Sequence, residues 1–360
     1  MQCNAADATE MIQRELDSGK QTVELKEAFY LLSGTLKIHS GQTLIAGKDT
    51  HIQLAPNCSC PLIANAGNDD RDITIEGGIW DYDNTSQAPN HWLGTDRIWT
   101  AEAYDENAPH GWVMKFRFVR NLVLKNMIIR NPASFSAVLS DIDGFLVENI
   151  HFEQTTWNPL PLCMDGIHVN GNCHHGIIRN LTGKTFDDMV ALNADDSWEC
   201  SDSRGPISDI LVENIVGSDA YRGMRLLSRG SAVENIRIRN ISGAFGSTGV
   251  LFSIFYVECG SYALFRNVSI EDSEYSISFP GGDNYGENGG IVVDDRCRIE
   301  GLKLKNIRCS LLHETPPDVF RISPDSSVDG LQIDKMSALR PGRVCRSRYT
   351  IEDTNYTNGI

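Results

Sequence analysis

A short unit recurs along the chain: a few alternating apolar and polar residues, an Asn, then another apolar residue. It stands at Leu122-Val123-Leu124-Lys125-Asn126-Met127, Phe145-Leu146-Val147-Glu148-Asn149-Ile150 and Ile177-Ile178-Arg179-Asn180-Leu181. It returns at Ile210-Leu211-Val212-Glu213-Asn214-Ile215, Ile236-Arg237-Ile238-Arg239-Asn240-Ile241, Ala263-Leu264-Phe265-Arg266-Asn267-Val268 and Leu302-Lys303-Leu304-Lys305-Asn306-Ile307. Successive Asn positions lie 23, 31, 34, 26, 27 and 39 residues apart. Period-two alternation at that repeat length predicts stacked coils of a parallel β-solenoid. Asn fits the corner because it tolerates left-handed dihedrals, and its amide can bond the amide of the next coil. The period excludes helical repeats, and the Asn-Gly hairpin turns of a β-sandwich or propeller are scarce. The expected fold is all-β: one single-stranded right-handed parallel β-helix spanning residues 1–360 as a single domain.

A solenoid needs its open end covered, since the first coil leaves strand edges unpaired. Residues 7–19 supply a short helix for that purpose within an N-terminal cap of residues 1–20. Asp7 or Thr9 caps its start, Met11, Ile12 and Leu16 make the apolar face, and Gly19 stops it. Two segments interrupt the repeat as loop insertions, residues 80–113 and residues 278–290. The second is Gly-rich but lacks the Lys of a phosphate cradle.

A net charge of −16 argues against nucleic acid and against an anionic membrane surface as partners. No apolar run reaches the length needed to span a bilayer. The start, Met1-Gln2-Cys3-Asn4-Ala5-Ala6, shows neither a basic n-region nor an apolar h-region. The expectation is a cytoplasmic protein, or a secreted one if the chain begins after processing. The ten cysteines form no small-domain disulfide framework, and Cys58, Cys60 and Cys173 read as buried free thiols. No cofactor and no metal is called for, and assembly into homo-oligomers stays open.

Three carboxylates carry the functional signal. Asp187 and Asp188 are adjacent in Thr185-Phe186-Asp187-Asp188-Met189-Val190-Ala191-Leu192-Asn193, about one coil after Asp165 in Met164-Asp165-Gly166-Ile167. Cleaving a glycosidic bond needs one carboxyl to give a proton and another to take one from water. Neighbours on an ideal strand point to opposite faces, so Asp187 and Asp188 share a site only at a turn–strand junction. Mutual repulsion should raise the pKa of one of them. Turn-forming Asp residues are the alternative reading, and for Asp195 and Asp196 the turn role leads.

This pattern resembles the polygalacturonases, glycoside hydrolase family 28, and related pectin-lyase-like β-helix enzymes; Ile73-Thr74-Ile75-Glu76-Gly77-Gly78-Ile79-Trp80 is similar to their early coils. The resemblance implies a carbohydrate substrate and inversion at the anomeric carbon, with Asp187 as general acid and Asp165 and Asp188 as the pair that activates water. Inverting carboxyl pairs sit about 6.5–9.5 Å apart to admit that water. The resemblance also implies that His168, three residues past Asp165, contacts substrate, with a structural histidine as the competing reading. Asn193 agrees with the pattern as a substrate-binding position.

Three departures bear on the substrate. Cys163-Met164 replaces the family's Asn-Thr, and Arg222 stands where its Gly-His-Gly has His. Val250-Leu251-Phe252-Ser253 replaces the Arg-Ile-Lys that grips a uronate carboxylate. The substrate is then a neutral sugar, or a uronate held by Arg222 and Arg225 instead. Trp157 and Trp198 flank the carboxylate coils and either stack on sugar rings or fill the core, whereas Trp80 reads as core. Three rivals remain: a polysaccharide lyase, a glycosyl or fructosyl transferase on the same fold, and a non-catalytic glycan-binding β-helix.

Overall fold

The computed structural model describes residues 6–90, 107–161, 163–196, 203–254, 261–278, 289–312, 318–340, 343–346 and 350–351. Their strands join into one hydrogen-bonded sheet that winds as a right-handed parallel β-helix. Among the described residues the one antiparallel pairing is Gln332–Arg340 with Arg343–Arg346, near the C-terminus.

Coil-on-coil register places like on like. Ala137, Ile167, Val190, Met224, Val250, Ile291 and Phe320 stack in successive coils. All seven are buried. Each larger apolar side chain removed from water in such a column contributes about 1.5–3 kcal/mol.

The corner residues explain the repeat. In Cys297–Leu311 burial alternates except at Glu300-Gly301 and Lys305-Asn306, where two exposed residues follow one another. Gly301 and Asn306 have φ of 79° and 52°. A left-handed residue takes one position out of the alternation, so the next run again turns its apolar side chains inward.

Asn126, Asn149, Asn180, Asn214 and Asn240 share φ between 55° and 59° and form a ladder. Each amide nitrogen after the first donates to the side-chain oxygen of the Asn before it, at 2.6–2.9 Å, and Asn126 donates to Glu76 at 3.0 Å. The sequence repeat misplaced one rung. Asn267 donates to Asn235 at 2.8 Å, and Asn235 to Asp209 at 3.0 Å, in a second corner ladder. Asp272 takes the next rung after Asn240, and Asn306 donates to it at 2.9 Å. Asp serves the same corner as Asn, so a repeat read from Asn alone took the other corner of the same coil, Asn267 in place of Asp272.

The helix spans Thr9–Asp17 and buries Ile12 and Leu16. Met11, expected on that face, is half-exposed instead. Asp7 Oδ1 accepts the Thr9 amide at 2.9 Å, and the Gln42 side chain donates to the carbonyls of Leu16 and Lys20 at the other end. Among the described residues no helix is long and apolar enough to cross a membrane. Trp80 is fully buried, as expected, with its indole N–H on the Gly77 carbonyl at 3.0 Å. Cys173 is a buried free thiol, whereas Cys58 and Cys60 are only partly buried. Residues 91–106 of the 80–113 insertion and 279–288 of the 278–290 insertion lie outside the described residues.

Candidate active site

The three aspartates meet where coils stack. Asp188 opens the strand Asp188–Asn193, and Asp187 is the last residue of the bend before it. This is the turn–strand junction that lets adjacent side chains share a site. Thr185 Oγ1 donates to the Asp187 carbonyl at 2.8 Å, and the Phe186 amide donates to the buried Gln154 side chain at 2.8 Å. Gln154 has no motif around it in the sequence and was missed there.

Asp165 sits one coil earlier. Its Oδ1 accepts the Asp188 amide at 3.0 Å, and the Gly166 amide donates to the Asp188 carbonyl at 2.8 Å. Gly166 is needed for that approach, because a Cβ there would stand 2.5 Å from the Met189 carbonyl oxygen. One oxygen of each aspartate lies within 4.8 Å of one from each of the others. That closest approach is tighter than the roughly 6.5–9.5 Å expected between an inverting pair.

Register puts Arg222 beside Asp188 on the following coil, as the sequence implied. Arg222 Nη1 is 2.9 Å from Asp187 Oδ1 and 3.6 Å from Asp188 Oδ1. Arg225 Nε is 2.9 Å from Asp188 Oδ2. Among the described residues these aspartates are the one grouping with metal-donor spacing, but two guanidiniums already supply positive charge there.

Burial, more than repulsion, sets the acidities. Burial pushes the Asp165 carboxyl above its ordinary value; the His168 hydrogen bond opposes this, and the charge of Asp187 adds to it. Burial also raises Asp188, with Arg225 opposing and Asp165 adding. Burial works against the Arg225 charge, yet Asp188, Asp187 and Asp165 together raise its pKa.

Exposure separates the site residues. The Asp187 side chain keeps 13% of its surface, whereas Asp165 and Asp188 keep none. His168 and Asn193, suggested by the sequence as substrate contacts, are also fully buried. His168 Nδ1 is 2.7 Å from Asp165 Oδ2, and its ring stacks on Phe135 at 3.8 Å between centroids. Asn193 Nδ2 donates to Asp196 at 3.4 Å. Asp195 fills the turn role expected of it, accepting the amides of Arg229 and Ser231. Asp196, expected to do the same, instead faces His168 Nε2 at 3.1 Å.

Trp157 is 46% exposed and meets Phe186 edge-to-face at 5.2 Å, one residue from Asp187. Lys184 Nζ lies 5.3 Å from the Phe186 ring centroid. Trp198 lies outside the described residues.

No family model matches the chain, and no curated protein matches it. Solved structures do. A family 28 exopolygalacturonase of Yersinia enterocolitica is 14% identical with a TM-score of 0.62, over 97% of this chain and 75% of that one. A polygalacturonase of Erwinia carotovora ssp. carotovora is 17% identical with a TM-score of 0.61, over 93% of this chain and 96% of that one. The A-module of a mannuronan C-5 epimerase of Azotobacter vinelandii is 13% identical with a TM-score of 0.60, over 93% and 92%. At such identities the likeness fixes the fold alone: this chain has a right-handed parallel β-helix like that of the two polygalacturonases and the epimerase module, and one fold can carry different chemistry.

Proposed function

We propose that this protein is a glycoside hydrolase that cleaves an oligo- or polysaccharide by an inverting displacement. The observation that carries the reading is the convergence of Asp165, Asp187 and Asp188, with oxygens within 4.8 Å, from two consecutive coils. Asp187, the aspartate that reaches solvent, gives its proton to the leaving oxygen as the glycosidic C–O bond breaks. The pair Asp165 and Asp188 takes a proton from the water whose oxygen bonds to the anomeric carbon. One proton leaves the site and one enters, so the cluster ends with its charge unchanged.

The substrate is a neutral sugar. Arg222 and Arg225 already face the site's own aspartates, and Val250-Leu251-Phe252-Ser253, where the basic pair that would grip a uronate is expected, holds no basic residue. Trp157 and Phe186 form an aromatic step beside Asp187 on which the C–H face of a ring can lie.

Complete burial of Asp165 and Asp188 favours a second reading, a non-catalytic glycan-binding β-helix. A carboxylate that water cannot reach cannot activate it, and the cluster would then be a buried charge network. Reducing-sugar release from neutral and acidic oligosaccharides separates the two. Release that vanishes in Asp187→Asn supports the hydrolase, and binding without release from the unmodified protein supports the module.

A further inference from the structure

The short runs that end at the Asn corners stack into a flat face with two outward columns. One is a charge ladder: Lys125, Glu148, Arg179, Glu213, Arg239 and Glu271 alternate in sign from coil to coil. Pairing within one chain accounts for it, as where Glu148 lies 2.6 Å from Arg179. The other column is different. Val123, Leu146, Ile177 and Leu211 stack on four consecutive coils, and each stands between two buried neighbours in sequence, so its own side chain points out of the core. Ile177 is 37% exposed, and the other three are half-buried with their flanks against one another. Thr74 precedes this stripe in its column and Arg237 follows it, so the apolar part begins and stops within the face. A contiguous outward aliphatic stripe with polar ends marks an interaction surface.

We propose that this face binds a second copy of this chain across a two-fold axis, with the two β-helices antiparallel. The axis runs along the strand direction between the coils of Leu146 and Ile177, at the centre of the stripe. Leu146 then meets Ile177 of the other copy, and Val123 meets Leu211. The same rotation reverses the ladder. Glu148 faces Arg179 of the other copy, Lys125 faces Glu213, and Glu76 faces Arg239. Every facing pair is opposite in sign, because an axis between coils matches each coil with one an odd number of steps away. An axis centred on a coil would set like charges together and repel. Stripe and ladder therefore select the same register independently. About eight coils at about 4.8 Å, with runs about 16 Å wide, give roughly 600 Å² per copy, the lower end of specific interfaces, so the dimer should dissociate in the micromolar range. The strand Asp188–Asn193 lies on another run of the coil, beyond the Asn180 corner, and the inference does not depend on the hydrolase reading.

Sedimentation velocity over about 1–100 µM tests the unmodified protein, whose mass should rise from 39.9 kDa towards twice that value. Ile177→Lys should keep it monomeric throughout without moving its unfolding midpoint. Arg179→Glu and Glu148→Arg should each weaken the dimer at least about tenfold, since each sets like charges across the axis. Mixed in equal amounts, these two variants should associate as tightly as the unmodified protein, because each offers the sign that the other lacks. A monomer at every concentration overturns the inference even if the variants fail to fold. A dimer that survives Ile177→Lys overturns the choice of face, and mixed variants that stay apart overturn the antiparallel register.

Discussion

Arg222 Nη1 lies 2.9 Å from Asp187 and 3.6 Å from Asp188, so one buried guanidinium serves both neighbours in the sequence. Arg222→Gln should therefore cost about 3 kcal/mol or more, as breaking buried ion pairs does. The loss should depend on pH. Arg222 is among the charges that oppose the rise of Asp188, so its removal raises that carboxyl further. A folded carboxyl raised above its unfolded value binds more protons in the folded state, so stability falls as pH rises from the ordinary carboxylate value through the raised one. Urea unfolding at acidic and neutral pH should show the variant more destabilised at neutral pH; an equal loss at both contradicts this electrostatic picture.

Trp157 is exposed and meets Phe186 edge-to-face, so Trp157→Ala should leave the unfolding midpoint nearly unchanged. Losing a ring-stacking surface costs about 0.5–1.5 kcal/mol, or about two- to twelvefold in KM, with kcat less affected. Steady-state kinetics on the substrate found by screening, compared with Phe118→Ala at another exposed aromatic, checks it.

Asn180 sits mid-ladder with φ of 57°, donating to Asn149 and accepting from Asn214, both at 2.8 Å. Asn180→Ala keeps the left-handed corner, removes both bonds and should cost about 2–3 kcal/mol. Asn180→Gly relieves the dihedral and should recover about 1 kcal/mol of that loss. Chemical denaturation of the pair reads both contributions, and equal stability of the two variants would show that the dihedral is unimportant.

Asp294 follows the strand Gly289–Val293, and burial raises its carboxyl to about 6, with Asp295 and Asp325 adding to the rise and Arg321 opposing it. Its raised value means that stability is lost between about pH 4 and pH 6 as the partly buried group is forced to ionise. Asp294→Asn removes that penalty and should be about 1–3 kcal/mol more stable than the unmodified protein at pH 7, with no gain at pH 4. A gain of the same size at both pH values contradicts the assignment.

The fold was legible because its rule is local. One left-handed residue per corner leaves an Asn in the sequence, and apolar alternation marks the runs between corners. The rule blurred at Asp272, which does the same work under another letter, and at Asn267, which belongs to the second corner. The carboxylates were legible as motifs because Asp165 and Asp188 fall one coil apart. The surroundings were not. That Asp196 turns toward His168, and that Gln154 holds the Phe186 amide, depends on packing between coils that no spacing encodes. Exposure was equally hidden: His168 looks like a groove residue in sequence and lies under Phe135 in the fold.

Proton NMR of freshly formed product tests the central claim most directly. A panel of neutral and acidic oligosaccharides is mixed with the protein, and the anomeric signals are followed before mutarotation. An inverting displacement gives a new reducing end of inverted configuration from a neutral glycan, with turnover reduced about 10²–10⁴-fold in Asp165→Asn and in Asp187→Asn. A retained anomer would contradict the inverting displacement, as the close spacing of the carboxyls makes worth asking. Cleavage that persists in both variants would contradict the site itself.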